Sequence, residues 1–123
     1  MIDIKADVYT ILQGINPSVP VYHSWPGDWG SMPCVSFHET ANQVELVTDG
    51  EEKFSRISIT VDVWGDTPET VSGVAIQADT LLAGHGLRRA AAIDLFEAEA
   101  RRHHKAMIYS VVVDTVTRTA YPP

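Results

Sequence analysis

The chain is expected to fold as an α+β domain, an antiparallel sheet of about four strands with two helices packed on it. Two apolar rhythms predict this. Between Phe54 and Trp64, Ile57, Ile59, Val61 and Val63 alternate with Ser58, Thr60 and Asp62, the two-residue period of a strand with one buried and one wet face. From Pro68 onward, Val71, Val74, Ala75, Ala78, Leu81 and Leu82 share one helical stripe. Further strands are signalled by Val35 with Phe37 and by the run Tyr109, Val111, Val112 and Val113.

Residues 1–15 read as a short amphipathic helix, because Ile4, Val8, Ile11, Leu12 and Ile15 recur at helical spacing. Asp3 is placed to cap its start, and Gly14 with Pro17 to stop it. Residues 18–33 contain Pro20, Pro26, Pro33, Gly27 and Gly30 and read as loop, apart from a brief extended piece at Val19 to His23. Residues 34–64 read as a hairpin. Val35 and Phe37, then Val44 and Leu46, alternate with polar residues, an interruption falls near Thr40 to Asn42, and Asp49 and Gly50 tolerate the left-handed conformation a tight reversal needs. Trp64 and Gly65 end the second strand.

Residues 67–83 read as the central helix, with Asp66 or Thr67 as cap and Pro68 in the first turn. Gly84 and Gly86 both suit its end. Residues 87–117 are expected to complete the sheet, although Leu87 to Leu95 admits two readings: its alanines favour helix on propensity, whereas Leu87, Ala91, Ile93 and Leu95 fit alternation. Met107 to Val116 is a clear buried strand, and Thr117 to Pro123 reads as a loose tail.

The 123 residues suffice for one domain spanning 1–123, burying roughly two-thirds of the surface the unfolded chain exposes. No apolar run approaches the roughly 20 residues needed to cross a bilayer, and Asp3, Lys5 and Asp7 break up any signal-peptide pattern. The formal net charge of -7 disfavours general attraction to nucleic acid or anionic membranes. The single cysteine, Cys34, reads as a small buried hydrophobe in a reducing compartment.

Nothing in the residue pattern predicts catalysis, a metal or a cofactor. His103 and His104 are adjacent and, on a strand, point to opposite faces, so they read as polar residues at a strand entry. His23, His38 and His85 have no cysteine or carboxylate at a ligand spacing. Asp94, Glu97 and Glu99 lie among Arg88, Arg89, Arg101 and Arg102 and read as a surface ion-pair network. Gly65 stands alone before its helix, so there is no phosphate loop.

Two features point to contacts instead. Trp25 and Trp29 sit in a loop too rich in breakers to form a regular element, and tryptophan is enriched at interface centres; the competing reading is a loop folded back to plug the core. Arg88, Arg89, Arg101, Arg102 and Lys105, with His103 and His104, concentrate positive charge in an acidic chain. If the last two strands are antiparallel neighbours, these clusters are expected to add their charge at one end of the hairpin, for polar docking. The competing reading is charge that keeps a loop in water.

The order of these elements, with Ile59 to Trp64 (ITVDVW) before the helix Pro68 to Leu82, then Leu87, Arg88 and Arg89, and Arg101, Arg102, His103, His104 and Lys105 before the final strand, resembles the tail-completion or tail-terminator proteins of long-tailed bacteriophages and prophages. The resemblance implies a non-enzymatic, cofactor-free subunit of a homo-oligomeric ring of six copies. Such a ring caps the tail tube and joins tail to head connector, a virion component assembled in the bacterial host cytoplasm with no membrane association. It also favours strand for Leu87 to Leu95. DNA would pass through without specific binding, and Glu39, Glu45, Asp49, Glu51 and Glu52 are candidates for an acidic lumen; equally, they keep a strand edge soluble. The alternative function is a small ligand-binding or regulatory domain with a pocket between helix and sheet.

Overall fold

The computed structural model describes residues 1–99 and 101–121. A six-stranded sheet forms the body, with strands β1 (Val21–His23), β2 (Cys34–Thr48), β3 (Glu51–Gly65), β4 (Arg88–Glu97), β5 (Arg102–Asp114) and β6 (Ala120–Tyr121). Helices α1 (Lys5–Leu12) and α2 (Pro68–Gly84) complete it. The order across the sheet is β1-β2-β3-β5-β4, with β6 added to β5.

The expected four-stranded antiparallel sheet is therefore corrected to a mixed sheet of six. The brief extended piece is a true strand, because β1 lies parallel to β2, with Val21 opposite Val35 and His23 opposite Phe37. The expected loose tail is also corrected. Asp114 accepts the backbone N–H groups of Val116 and Thr117 at 2.8 and 3.1 Å, which turns the chain so that Ala120 and Tyr121 pair with Val113 and Val112. Arg118 then binds the Asp7 carboxylate and the Asp3 carbonyl, tying this turn to α1. Pro122 and Pro123 lie outside the described residues.

Both helices pack on one face. The β3 alternation sends Ile57, Ile59, Val61 and Val63 into the core, where they meet Val35 and Phe37 of β2, Met107, Tyr109, Val111 and Val113 of β5, and Val71, Val74, Ala75, Ala78 and Leu82 of α2. Thr67 caps α2 by accepting the Thr70 N–H, with Pro68 at the first position. At its other end, Leu87 N–H reaches back to the Leu82 carbonyl and Gly86 takes φ +89, a helix stop that needs glycine. The α1 cap is Ile4 instead of Asp3, although the Asp3 carboxylate accepts the Lys5 N–H at 2.9 Å.

Two details fit the reading of the first hairpin. The interruption near Thr40 is a shift of register between Glu39 and Ala41, and the reversal uses Asp49 and Gly50 at φ 53 and 78. Residues 88–97 form strand despite their alanines, because pairing with β5 outweighs a propensity difference of under ~1 kcal/mol per residue.

Candidate functional site

The face of the sheet without helices carries the most unusual chemistry of the molecule. Cross-strand register sets Trp64 of β3 beside Cys34 of β2 and His104 of β5, and Asp62 beside Ser36 and Ala106. On a strand these residues alternate away from the core valines, so their side chains share the opposite face. The loop after β1 turns back over them. Ser24 adopts φ 75 and donates its N–H to the Phe37 carbonyl at 2.7 Å, and the following residues bring Trp25 and Trp29 onto Trp64.

The resulting aromatic cluster is tightly built. Trp29 meets Trp64 edge-on with centroids 4.9 Å apart, Trp25 lies 5.6 Å from Trp64, and the imidazole of His104 stacks on Trp64 at 3.8 Å and 10°. The Trp64 indole N–H donates to Ser36 Oγ at 3.0 Å, which satisfies its one polar atom in a buried position. Trp64 is 2 % exposed, whereas Trp25 keeps 63 %. Thus the loop tryptophans cover Trp64 instead of plugging the helix-side core, and they leave much of their own surface to solvent.

His104 sits between two carboxylates. Nε2 lies 2.6 Å from Asp62 Oδ1 and Nδ1 lies 3.2 Å from Glu97 Oε1. Burial works against its charged form, but the bonds to Asp62 and Glu97 outweigh this and hold the imidazole above its ordinary value. An imidazolium donating at both nitrogens is the state this geometry favours. A cavity of about 460 Å³ opens beside the pair, lined by Ser24, Trp25, His38, Asp62, Trp64 and His104. Nearby, burial pushes the Cys34 thiol up to about 11, so it stays protonated and inert at neutral pH.

Asp62 and His104 are residues that sequence reasoning missed. Asp62 reads as a wet position in the β3 alternation, and His104 as a solvated one at a strand entry. The one available signal is the Trp64 that follows Asp62 by two: a large aromatic on the supposedly wet face announces that this face is covered.

The basic residues do not gather as expected. Arg88 and Arg89 lie opposite Ser110 and Tyr109, whereas Arg102 lies opposite Glu97 and Lys105 opposite Asp94. Four β5 positions separate Lys105, and seven separate Arg102, from the partner of Arg89, roughly 13 and 24 Å along the strand, so their charges do not add at one end. An antiparallel hairpin puts the start of one strand beside the end of the other. Most are also neutralised locally: Arg89 pairs with Asp79 at 3.1 Å, Arg102 with Asp66 at 3.2 Å and Lys105 with Asp94 at 2.9 Å. Arg102 further donates to the Trp29 carbonyl at 3.0 Å, linking the basic strand entry to the tryptophan loop. Arg101, at φ 54, forms the β4–β5 reversal.

Of the acidic residues, Asp49, Glu51 and Glu52 gather at the β2–β3 tip, Glu45 stands just below it in an ion pair with Arg56 at 3.0 Å, and Glu39 lies well down β2 at the register shift. Among the described residues no group of three or more histidine, cysteine or acidic side chains is arranged to hold a metal ion, and no helix is long and apolar enough to cross a membrane. No protein-family model matches the chain. No curated protein matches it either.

Proposed function

We propose that this chain is a structural assembly subunit that joins copies of itself edge to edge, in the manner of a phage tail terminator that caps the tail tube and meets the head connector as a ring. The observation that carries the reading is the pair of open sheet edges. β4 is ten residues long, has a strand on only one side among the described residues, and exposes Ile93, Leu95 and Phe96 by 47, 46 and 57 %. Long apolar edges are pairing sites unless something covers them. At the far side, β1 guards only Val35 to Phe37, so β2 from His38 to Thr48 has no outer strand among the described residues, and it exposes Val44, Leu46 and Val47.

The two edges suit one another. β2 and β4 run in opposite directions, since each is antiparallel to a strand of the antiparallel β3–β5 pair. A neighbour turned about a ring axis and not inverted would therefore offer its β4 antiparallel to β2, a heterologous contact of the type that closes into rings. Because β1 blocks the lower positions, a full ten-residue pairing sets Glu97 near His38 and Arg88 near Val47. Arg88 and Arg89 then approach Glu45 and the acidic tip of Asp49, Glu51 and Glu52, where opposite charges favour one register.

Light scattering and native mass spectrometry test this. A closed species of several copies is expected, and a strict monomer at high micromolar concentration, alone and with a tail-tube protein, would remove the reading. A second reading, a small ligand-binding domain, is favoured by the cavity over Asp62, which lies on the bare face of the sheet and not between helix and sheet as expected, and it predicts one or two copies.

A further inference from the structure

The cavity beside His104 is walled by aromatic rings and floored by a carboxylate, a combination that selects for a particular kind of charge. Asp62 is 7 % exposed. Its Oδ1 is held by His104, but Oδ2 lies 3.8 Å from His38 Nδ1, beyond hydrogen-bond reach, and Asp62 lines the open volume. A carboxylate oxygen largely withdrawn from water gains most from a charged donor brought to it. Trp25, propped by Trp29 at 6.1 Å and Trp64 at 5.6 Å, presents an exposed indole at the rim. A cation over an indole face gains further.

We propose that this cavity is a receptor for a guanidinium group, an arginine side chain presented by another polypeptide. The flat, weakly hydrated guanidinium can donate from its edge to Asp62 while its face lies on Trp25, which a compact ammonium cannot do equally well. The charged and titratable groups around the site are His38 from β2, Asp62 from β3, Glu97 from β4 and His104 from β5, with the mutually neutralising Arg102–Asp66 pair behind Trp29. With His104 protonated, two carboxylates face one imidazolium, so the site retains net negative charge. The lining contains no lysine or arginine to meet an α-carboxylate, which is why the ligand is a side chain within a polypeptide and not the free amino acid. The inference does not rest on ring assembly: Asp62 and Trp25, which carry it, lie on the central strand β3 and in the loop after β1, and only His38 and Glu97 at its margin belong to edge strands.

The test is a titration followed by tryptophan fluorescence and indole N–H chemical shifts, using N-acetyl-arginine methylamide, free arginine and the equivalent blocked lysine. Blocked arginine is expected to give a saturable shift, with blocked lysine and free arginine each weaker by about fivefold or more. Asp62→Asn is expected to abolish it. Because that change disturbs the His104 contact and can unfold the chain, Trp25→Ala, at an exposed loop position, provides the second arm and is expected to weaken binding by about fivefold. Equal binding of lysine, equal binding of free arginine, no loss in Trp25→Ala, or no saturable shift at all would each overturn the proposal.

Discussion

His104 is the residue at which burial and charge are most finely opposed. Its folded value is raised, so the stability it contributes is complete below the unfolded value of about 6.5 and is lost as pH rises through the higher folded value. The destabilisation caused by His104→Gln, measured by urea unfolding, is thus expected to be largest near about pH 5.5 and to shrink toward about pH 9. A gap that stays constant with pH would show that the ring is uncharged in the native state. Tyr109 makes a second buried polar contact, donating its hydroxyl to Asp79 Oδ1 at 2.6 Å and so fastening β5 to α2. Burial, then the neighbouring carboxylate, push its phenol well above the ordinary range. Tyr109→Phe is expected to cost about 1 kcal/mol in chemical denaturation, and Asp79→Ala more, because it strands both the hydroxyl and Arg89. Neither contact was legible in the sequence. Asp62 and Asp79 stand 42 and 30 residues from their partners, and only the register of β3 on β5 and the packing of α2 bring them together.

Local periodicity was readable at the scale of elements because one force dominates it. Each long strand and α2 has a single face to bury, and apolar spacing reports that face directly. Two short strands and one turn were less legible for the same reason, β1 showing only as a brief extended piece. β1 has three residues and β6 two, too few to show a period, and the hairpin geometry that parts Arg89 from Arg102 depends on where a turn falls. The glycines of the elements supply opposite predictions. Gly86→Ala is expected to destabilise by about 1–2 kcal/mol, since a Cβ there meets the Ala120 carbonyl at 3.2 Å in a left-handed backbone. Gly73→Ala, in the exposed middle of α2 with nothing within 4 Å, is expected to stabilise by up to about 1 kcal/mol. Thermal unfolding of the two variants checks both signs.

For the molecule as a whole, the sheet divides labour between its faces and its edges. The helix side supplies the core, the bare side supplies the Trp64 cluster, and the proposed association falls to the edges. Ile93→Lys with Leu95→Lys is expected to reduce the apparent mass in light scattering to that of one copy while shifting the thermal midpoint of the monomer by no more than about 2 °C, since both side chains are about half exposed. An unchanged mass would move the contact elsewhere. The placement of β6 bears on how such experiments are built. Tyr121 sits on the outer flank of β5 just beyond the first residues of β4, so bulk added to its half-exposed ring lies at the very margin where a neighbour is proposed to dock. A reporter group coupled to that ring would act as a wedge, and the measured stoichiometry would then describe the reporter as much as the protein.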